Sequence, residues 1–438
     1  MDTGVDKTHP FLAGKVVSEA CYVFPDGCAG GVATGTGPGT GIPADSGQFH
    51  GTHVAGIAAG NAPNAVPPPA APLTNTSSGM AQGAKIIAIN VFGPYDGALD
   101  SDIIAGLNRV YDLRTSFNIA SVNMSLGDGV ANVTNCDADP MKPAIDQLRS
   151  VNIATVISSG NGSYTNAING PGCISTAVSV GSTTKTDGVS SFSNVSSFMS
   201  LFAPGSSIDS SLLPSGAYGF LSGTSMAAPH VAGAWAVLKQ TSPTATVSQI
   251  LTTLQSTGLS ITDTRGTPSV TKPRINIKNA VVLLQPGPVP TSIAPTTALL
   301  GATLNVTITG TGFASGATSS FGAGITVNNT TFVSSTQLTA NITILANATP
   351  GARTVSVTNP SAGTGTLANA FTITAPAPSL TSISPTPVIV GGPAFTLTVT
   401  GTGFATTSVV RVNGVGRTTG FVSATRLTGT ILAADIAT

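Results

Sequence analysis

Residues 223–230 read Gly-Thr-Ser-Met-Ala-Ala-Pro-His and lead into the small-residue run Val-Ala-Gly-Ala-Trp-Ala-Val-Leu at 231–238. This composition predicts a buried helix that begins near Gly223 and carries Ser225 in its first turn. The first turn of a helix offers free backbone N–H groups and the positive end of the helix dipole, which favour a developing negative charge. A serine in glycine-rich sequence is also an ordinary turn residue, so a catalytic role for Ser225 depends on residues elsewhere in the chain.

Apolar runs alternate with helical patterns through residues 1–285. Strands are predicted over residues 85–92, 119–126 and 153–157, and helices over 50–59, 100–115 and 141–151. Continuous apolar strands separated by helices are typical of a parallel sheet that is covered by helices on both faces. We therefore predict an α/β domain over residues 1–285.

The chain of 438 residues is sparsely charged. Charged residues make up 8% of it and the formal net charge is zero, whereas an average soluble domain has about 25% charged residues. This balance does not suggest a nucleic acid or an anionic membrane as a partner. Because no apolar run reaches the roughly 18 residues that a transmembrane helix needs, we predict no membrane span.

Three short motifs follow one another along the chain. Residues 2–4 read Asp-Thr-Gly, residues 50–56 read His-Gly-Thr-His-Val-Ala-Gly, and residues 223–229 read Gly-Thr-Ser-Met-Ala-Ala-Pro. Their order of Asp, His and Ser is that of subtilisin. Residues 1–285 thus resemble the subtilase family of serine peptidases (peptidase family S8), and the resemblance implies the subtilisin-like α/β fold.

The resemblance implies a catalytic triad of Asp2, His50 and Ser225. His50 would accept the proton of the serine hydroxyl, and Asp2 would orient the imidazole and stabilise its charged form. The backbone N–H of Ser225 and the side-chain amide of Asn161, in Ser-Ser-Gly-Asn-Gly at 158–162, would form the oxyanion hole.

Two further segments are expected to bind a polypeptide substrate. Ser125, Leu126 and Gly127 resemble the edge segment that pairs with the substrate backbone, and residues 158–160 (Ser158, Ser159 and Gly160) would line the pocket beside them. Since none of the six is charged, we expect broad specificity with an apolar preference.

The resemblance requires no cofactor. Calcium is compatible with it, but no run of oxygen ligands is visible and no calcium ligands are assigned. His50 and His53 lie three residues apart, yet no carboxylate follows at a usable spacing, so we predict no catalytic metal. Residues 2–4 read Asp-Thr-Gly and residues 45–47 read Asp-Ser-Gly, so Asp2 and Asp45 could be taken for the two aspartates of an aspartic protease. The sequence around them shows no matching lobes, which disfavours this interpretation.

Four cysteines, Cys21, Cys28, Cys136 and Cys173, allow three pairings, and the sequence does not choose between them. We favour Cys21–Cys28, which closes a short loop, and Cys136–Cys173, which closes a long one. Disulfides would indicate an oxidising compartment. The alternative is four reduced, buried thiols.

The composition changes after residue 285. Residues 286–292 form a proline-rich linker, and the following sequence is rich in Thr, Val and Gly with period-two runs that predict strands. Residues 309–314 and 400–405 both read Thr-Gly-Thr-Gly-Phe-Ala. These repeats resemble IPT/TIG domains, which implies all-β immunoglobulin-like sandwiches over 293–374 and 378–438. They would act as spacers or bind polysaccharide or a cell surface.

In the subtilase pattern, a buried central strand leads into the catalytic aspartate. Asp2 has one residue before it, so we expect the first strand to be missing, two neighbouring strands to lose backbone partners, and Asp2 to lack the scaffold that holds it against His50. A signal peptide and a propeptide are absent from this sequence. We also expect the second repeat to lack its closing strands, and the chain to be a fragment at both ends.

The sequence therefore predicts an extracellular, monomeric serine endopeptidase with C-terminal sandwich repeats. The alternative is a catalytically inactive adhesin or surface-binding protein that uses the same fold. A complete set of Asp2, His50, Ser225 and Asn161 favours the enzyme.

Overall fold

The structure is a computed structural model of the 438-residue chain. It describes residues 1–24, 27–28, 34–61, 78–93, 97–360 and 363–438. The chain divides into two compact units, Met1–Gln285 and Pro286–Thr438.

The first unit alternates strands and helices. Its helices are α1 (His50–Ala59), α2 (Asp100–Leu113), α3 (Lys142–Ser150), α4 (Thr224–Thr241), α5 (Val247–Thr257) and α6 (Ile277–Leu284). Its strands are β1 (Val16–Tyr22), β2 (Thr34–Thr36), β3 (Ile86–Asn90), β4 (Ser121–Met124), β5 (Ala154–Ser158), β6 (Val178–Thr183), β7 (Leu201–Pro204), β8 (Ile208–Leu212), β9 (Ala217–Leu221), β10 (Leu259–Asp263) and β11 (Val270–Arg274). The predicted elements of this region are confirmed to within three residues at each end.

The main sheet has six strands in the order β10-β11-β7-β6-β5-β4, and β4 to β7 run parallel. A separate sheet has the order β2-β1-β3, with β1 and β3 parallel. β3 and β4 each end their sheet, and among the described residues no complete strand joins the two. The predicted parallel sheet is thus interrupted between β3 and β4.

Helices cover both faces of the main sheet because its strands are apolar on both sides. On one face, Trp235 and Val231 of α4 pack against Val156 and Val180. On the other, Leu107 of α2 joins α3 in a second core. This arrangement carries α4, and with it Ser225, across the middle of the sheet.

Two disulfides lie in the first unit, and they follow the pairing that the sequence analysis favours. Cys21 is bonded to Cys28 with their Cα atoms 6.0 Å apart, and Cys136 is bonded to Cys173 with Cα atoms 5.3 Å apart. The alternative of four reduced thiols is therefore not what the structure contains.

The second unit is rich in strands. They are β12 (Val289–Ala294), β13 (Thr297–Leu299), β14 (Thr303–Thr311), β15 (Thr318–Ser320), β16 (Ile325–Ser334), β17 (Gln337–Ile344), β18 (Gly351–Thr358), β19 (Thr364–Thr374), β20 (Ser379–Ser384), β21 (Phe395–Thr402), β22 (Arg411–Val412), β23 (Val415–Gly416), β24 (Thr419–Ser423) and β25 (Arg426–Ile431).

Two sheets of the second unit share one connectivity. The orders β12-β14-β17-β16 and β20-β21-β25-β24 place corresponding stretches of the two sequence repeats in the same positions. In the first repeat, a second sheet of order β13-β19-β18-β15 completes a common core around Phe321 and Phe371. In the second repeat, the described residues add only the β22–β23 hairpin.

Across the described ranges of both units, no helix is long and apolar enough to cross a membrane.

Candidate active site

Asp2 is held by backbone hydrogen bonds at the edge of β3. Its N–H donates to Ile89 O at 3.1 Å, and the N–H of Val91 donates to Asp2 O at the same distance, which pairs Asp2 with Asn90 in parallel. On the other side, the Met1 amino group donates to Asn123 O at 2.9 Å. The expectation that Asp2 lacks a scaffold is therefore wrong, because these few bonds hold it in place without a full strand.

The Asp2 carboxylate meets His50 at the beginning of α1. Asp2 Oδ1 lies 2.8 Å from His50 Nδ1 and also accepts the N–H of Thr3 at 2.8 Å. Gly51 allows α1 to begin against this segment, since a Cβ there would overlap the Gly4 carbonyl. Asp2 is 4% exposed, whereas the His50 side chain retains 32% exposure.

The pair stabilises its own charged forms. Burial opposes ionisation of Asp2, but His50 and the Thr3 N–H outweigh it and hold the pKa of the Asp2 carboxyl below its usual value. Burial likewise opposes protonation of His50, but the charge of Asp2 and its hydrogen bond outweigh it, so the pKa of His50 lies above its usual value. Since Nδ1 faces Asp2, Nε2 is the nitrogen available for proton transfer.

Ser225 occupies the first turn of α4, as the sequence predicts. Its hydroxyl donates to Ser125 O at 3.3 Å, and the Ser125 hydroxyl donates to Ser225 O at 2.7 Å. Val54 of α1 and Met226 of α4 belong to one small buried cluster, so α1 packs against α4 near the N-terminal end of α4.

Asn161 is oriented by the residue before Ser225. Its Oδ1 accepts both the N–H and the hydroxyl of Thr224, each at 2.9 Å. Because Asn161 Oδ1 points to Thr224, Asn161 Nδ2 faces the space beside Ser225 and Gly223. The arrangement places a side-chain donor close to the backbone N–H of Ser225 in the first turn of α4.

The loop that carries Asn161 rests on buried amides. Gly160 has φ of +101°, and a Cβ there would overlap the side chains of Asn169 and Asn194. Asn194 donates to Ser159 O at 3.1 Å, and its Oδ1 accepts the N–H of Tyr164 at 3.0 Å. These bonds fix both ends of the loop.

The expected substrate segments follow the carboxyl ends of two neighbouring parallel strands. Residues 125–127 directly follow β4, and residues 158–160 begin at the last residue of β5. Ser158 donates to Leu126 O at 3.1 Å, and the fully buried Ser159 donates to Asn194 O at 2.8 Å. Both hydroxyls are therefore used within the protein, and so are the backbone N–H and C=O groups of Ser159 and Gly160.

The remaining histidines near the site are packed. His53 Nε2 lies 3.1 Å from Gly219 O, and burial lowers the pKa of His53 to about 4. His230 Nδ1 lies 2.9 Å from Met226 O. In the part of the chain that the structure describes, no three His, Cys, Asp or Glu side chains converge on a metal position.

Sequence reasoning missed Thr224, Asn194 and Arg265 as supports of the site. Thr224 directly precedes Ser225 in the same motif, so a role for its hydroxyl could have been predicted. Arg265 pairs with Asp263 at 2.8 Å and donates to Ser193 O at 2.7 Å, beside Asn194. No pattern in the sequence indicates that this distant arginine reaches the loop.

Comparisons with known proteins agree with this geometry. The model of the Subtilase family matches residues 1–365, so the chain belongs to the subtilase family. Thermitase from Thermoactinomyces vulgaris is 34% identical over 236 residues, which cover 53% of this chain and 71% of thermitase. A solved protease structure from Pseudoalteromonas arctica is 26% identical, with a TM-score of 0.52 over 65% of this chain and 88% of that one.

Some relatives are much longer than the aligned part. An extracellular serine proteinase from a Thermus strain is 31% identical over 255 residues, 58% of this chain and 53% of that protein. Alkaline serine exoprotease A from Vibrio alginolyticus is 32% identical, over 61% of this chain and 43% of that protein. The chain thus spans about half the length of these relatives. The family match also extends past Gln285 into the second unit.

Proposed function

We propose that this chain is an extracellular serine-type endopeptidase in which Asp2, His50 and Ser225 form the catalytic triad. The observation that carries the proposal is the 2.8 Å contact between Asp2 Oδ1 and His50 Nδ1 at the start of α1, a helix that packs against α4, whose first turn holds Ser225. Relatives named as extracellular serine proteinases support both the chemistry and the location.

His50 acts as the general base. With Nδ1 hydrogen-bonded to Asp2, Nε2 accepts the Ser225 proton while Ser225 Oγ forms a bond to the carbonyl carbon of the substrate. The present bond from Ser225 to Ser125 O, at 3.3 Å, is long and weak, so a small rotation of the hydroxyl toward His50 costs little. His50 then protonates the amine as its bond to the carbonyl carbon breaks. In the second half, His50 takes a proton from a water whose oxygen bonds to the acyl carbon, and returns that proton to Ser225 Oγ as the acyl–oxygen bond breaks.

The negative charge of the tetrahedral intermediate lies on the former carbonyl oxygen. Asn161 Nδ2 and the backbone N–H of Ser225 donate to it, and both are oriented before the reaction begins. Thr224 supplies that orientation through its two bonds to Asn161 Oδ1. Donors fixed in this way need no reorganisation when the charge appears.

The substrate is an extended polypeptide that is bound mainly through its backbone. Residues 125–127 supply the edge segment for this pairing, residues 158–160 line the pocket beside it, and neither segment has a charged side chain. Specificity is therefore broad, with an apolar preference beside the cleaved bond. No cofactor takes part in these steps.

We assign the second unit to IPT/TIG-like, immunoglobulin-like repeats over residues 293–374 and 378–438. The shared order of the sheets β12-β14-β17-β16 and β20-β21-β25-β24 supports the repeat assignment. The Thr-rich strands carry few charges, which suits contact with polysaccharide or a cell surface, and these charges are too few for nucleic acid.

Digestion of an unfolded protein tests the proposed function. The purified chain is incubated with reduced, alkylated casein, and the cleavage sites are mapped by mass spectrometry. We expect internal cleavages after mainly apolar residues, loss of all cleavage in Ser225→Ala, and retention in Ser222→Ala, which changes an exposed serine of the same segment. A folded chain that cleaves nothing would favour the inactive, surface-binding alternative, and cleavage only after Lys or Arg would contradict the specificity.

A further inference from the structure

Asn161 is directly followed by Gly162, and this order of residues opens the Asn161 side chain to chemical attack. A glycine has no Cβ, so its backbone nitrogen can approach the side-chain carbonyl carbon, Cγ, of a preceding asparagine. That approach begins deamidation, in which the nitrogen of the asparagine amide is lost as ammonia. The chain has three Asn-Gly pairs, at 161–162, 169–170 and 413–414. Their surroundings decide which of them reacts.

The Gly162 nitrogen is free to react. Asn161 and Gly162 are both exposed. The segment is fixed on either side, because the Gly160 N–H donates to Thr224 Oγ1 at 3.1 Å and the Ser163 N–H donates to a backbone carbonyl at 2.9 Å. Between these two bonds, the Gly162 N–H donates to no described residue. Attack by this nitrogen therefore breaks no hydrogen bond within the protein.

The Asn161 carbonyl is polarised for this attack. Its Oδ1 accepts the N–H and the hydroxyl of Thr224, each at 2.9 Å. Two donors on one carbonyl oxygen draw electron density from Cγ, and they stabilise the negative charge that collects on that oxygen when a nitrogen adds to Cγ. Nδ2 faces the space beside Gly223 and is the group that can leave. Thr224 thus gives Asn161 an oxyanion hole of its own.

The pair at 169–170 has the same two residue types in opposite surroundings. Asn169 is 5% exposed, its Nδ2 donates to Val130 O at 2.8 Å, and its Oδ1 accepts Asn194 Nδ2 at 3.0 Å. The Gly170 N–H donates to Asp128 Oδ1 at 3.0 Å. Since the attacking nitrogen and the carbonyl oxygen are both engaged, reaction at this pair first requires a local opening.

We propose that Asn161 is a modification site that converts itself to aspartate or isoaspartate without an enzyme. The Gly162 nitrogen bonds to Asn161 Cγ, its proton passes to Nδ2, and Nδ2 leaves as ammonia, which closes a five-membered imide. Water then adds to one of the two imide carbonyl carbons, and the bond from that carbon to the Gly162 nitrogen breaks. Opening at Cγ gives aspartate, and opening at the main-chain carbon gives isoaspartate. Water is the only co-reactant.

The modification removes a donor and adds a charge at the proposed oxyanion hole. A carboxylate in place of the Asn161 amide only accepts hydrogen bonds, and its negative charge lies beside the substrate oxygen that becomes negative. We therefore expect kcat to fall at least about 10²–10³-fold, the cost of losing one such donor. This consequence rests on the proposed peptidase function, whereas the modification itself does not. The enzyme then has a working lifetime that Gly162 and Thr224 set.

Peptide mapping by mass spectrometry tests the modification in the full chain carrying Ser225→Ala, so that self-digestion plays no part. The chain is kept at mildly alkaline pH, where more of the amide nitrogen is deprotonated, and aspartate and isoaspartate are quantified over time. We expect deamidation at Asn161 at least about tenfold faster than at Asn169, whose reaction awaits a local opening. Equal rates at the two sites would overturn the proposal, and so would an unmodified Asn161.

Thr224→Val tests the polarisation of the Asn161 carbonyl. It removes the hydroxyl that donates to Asn161 Oδ1 and should slow the reaction at Asn161 about fivefold, the effect of one lost hydrogen bond. Asn413, which is exposed in the turn between β22 and β23, is the internal control and should react at an unchanged rate. Reaction at Asn161 that is unchanged or faster in Thr224→Val would overturn the proposal.

Gly162→Ala tests the attacking nitrogen. The new Cβ crowds that nitrogen, so deamidation at Asn161 should slow about fivefold or more while Asn413 again reacts as before. Because this Cβ would meet the Tyr164 ring at 2.9 Å, the Tm of the variant is measured beside that of the parent chain. A folded Gly162→Ala chain that deamidates at the parent rate would overturn the proposal, and Thr224→Val decides it if Gly162→Ala does not fold.

Activity measurements on the chain with Ser225 intact test the consequence for the enzyme. Among molecules that remain uncut, hydrolytic activity should fall with the time course of Asn161 modification, and it should persist longer in Gly162→Ala. Activity that falls while Asn161 stays unmodified would contradict the proposed lifetime. A chain that hydrolyses nothing would contradict the peptidase function but not the mass measurement, so the two failures are distinguishable.

Discussion

The two halves of the candidate active site rest on unequal supports. Ser225 and Asn161 belong to α4 and to a loop that is fixed by Thr224 and Asn194 above a six-stranded sheet. His50 begins α1, and Asp2 lies at the edge of a three-stranded sheet, where it pairs with Asn90 through an isolated β-bridge. The proposed nucleophile and oxyanion donors are thus placed by a continuous core. The proposed base, His50, depends instead on the few backbone hydrogen bonds that hold Asp2.

Removal of the nucleophile should have the largest effect. Ser225→Ala deletes the atom that bonds to the substrate, and we expect kcat to fall about 10⁶-fold. His50→Ala should cost about the same, and the double variant no more, because the two residues act as a unit. Peptide hydrolysis kinetics measure this, with Ser222→Ala as the control; additive losses would show that the two halves act separately.

Substitution of the Asp2 carboxylate should have the next largest effect on activity. Asp2→Asn keeps the shape but removes the charge that raises the pKa of His50, so we expect kcat/KM to fall about 10⁴-fold. The acid limb of the pH profile should also move to lower pH, since the neutral base then persists at lower pH. Asp6→Asn, in the same segment, is the matched control; an unmoved limb would show that Asp2 does not act on His50.

Substitution of Asn161 or of Thr224, which orients it, should lower kcat by a smaller factor. Asn161→Ala removes one donor, and we expect kcat to fall about 10²–10³-fold with little change in KM. Thr224→Val removes only one of the two bonds that orient Asn161, so a net loss of about 1 kcal/mol, or about fivefold in kcat, is expected. Equal losses in kcat and substrate affinity would indicate a role in ground-state binding instead.

The last prediction concerns the support of the Asn161 loop, and its effect is on stability and not on activity. Arg265→Gln leaves Asp263, which is 3% exposed, without its ion-pair partner, and we expect about 3 kcal/mol less free energy of unfolding. Arg274→Gln breaks a pair with Asp187, whose side chain is 39% exposed, and should cost about 1 kcal/mol or less. Urea unfolding compares the two, and equal losses would show that burial does not distinguish them.

The sequence predicts much of this picture because the informative residues are local. The small-residue run after Ser225 specifies a buried helix, and the apolar runs around residues 86–90 and 154–158 specify strands, so α4, β3 and β5 were accessible. The position of Asp2 could not be predicted from the sequence. It depends on backbone hydrogen bonds from Asp2 and Met1 to strands that lie about 90 and 120 residues away, respectively. Arg265 escaped prediction for the same reason, since its carbonyl partners are 72 to 75 residues distant.

The difference between the two repeats of the second unit has a similar origin. Both sequences specify the sheet built on β14 or β21 because the alternating threonines recur in each. In the first repeat the opposing sheet buries Phe371 fully. In the second repeat, where the described residues form no such sheet, Ile389 is 83% exposed.

The pH dependence of fluorophosphonate labelling tests the central claim, that Asp2 holds His50 as the base for Ser225, most directly. Because the pKa of His50 is raised above its ordinary value of about 6.5, the neutral base is lost early on acidification. We predict that the labelling rate rises with pH through one ionisation above pH 6.5, and that labelling is absent in Ser225→Ala. A folded chain that labels at no pH, or with a midpoint at or below 6.5 that Asp2→Asn leaves unchanged, would contradict the account.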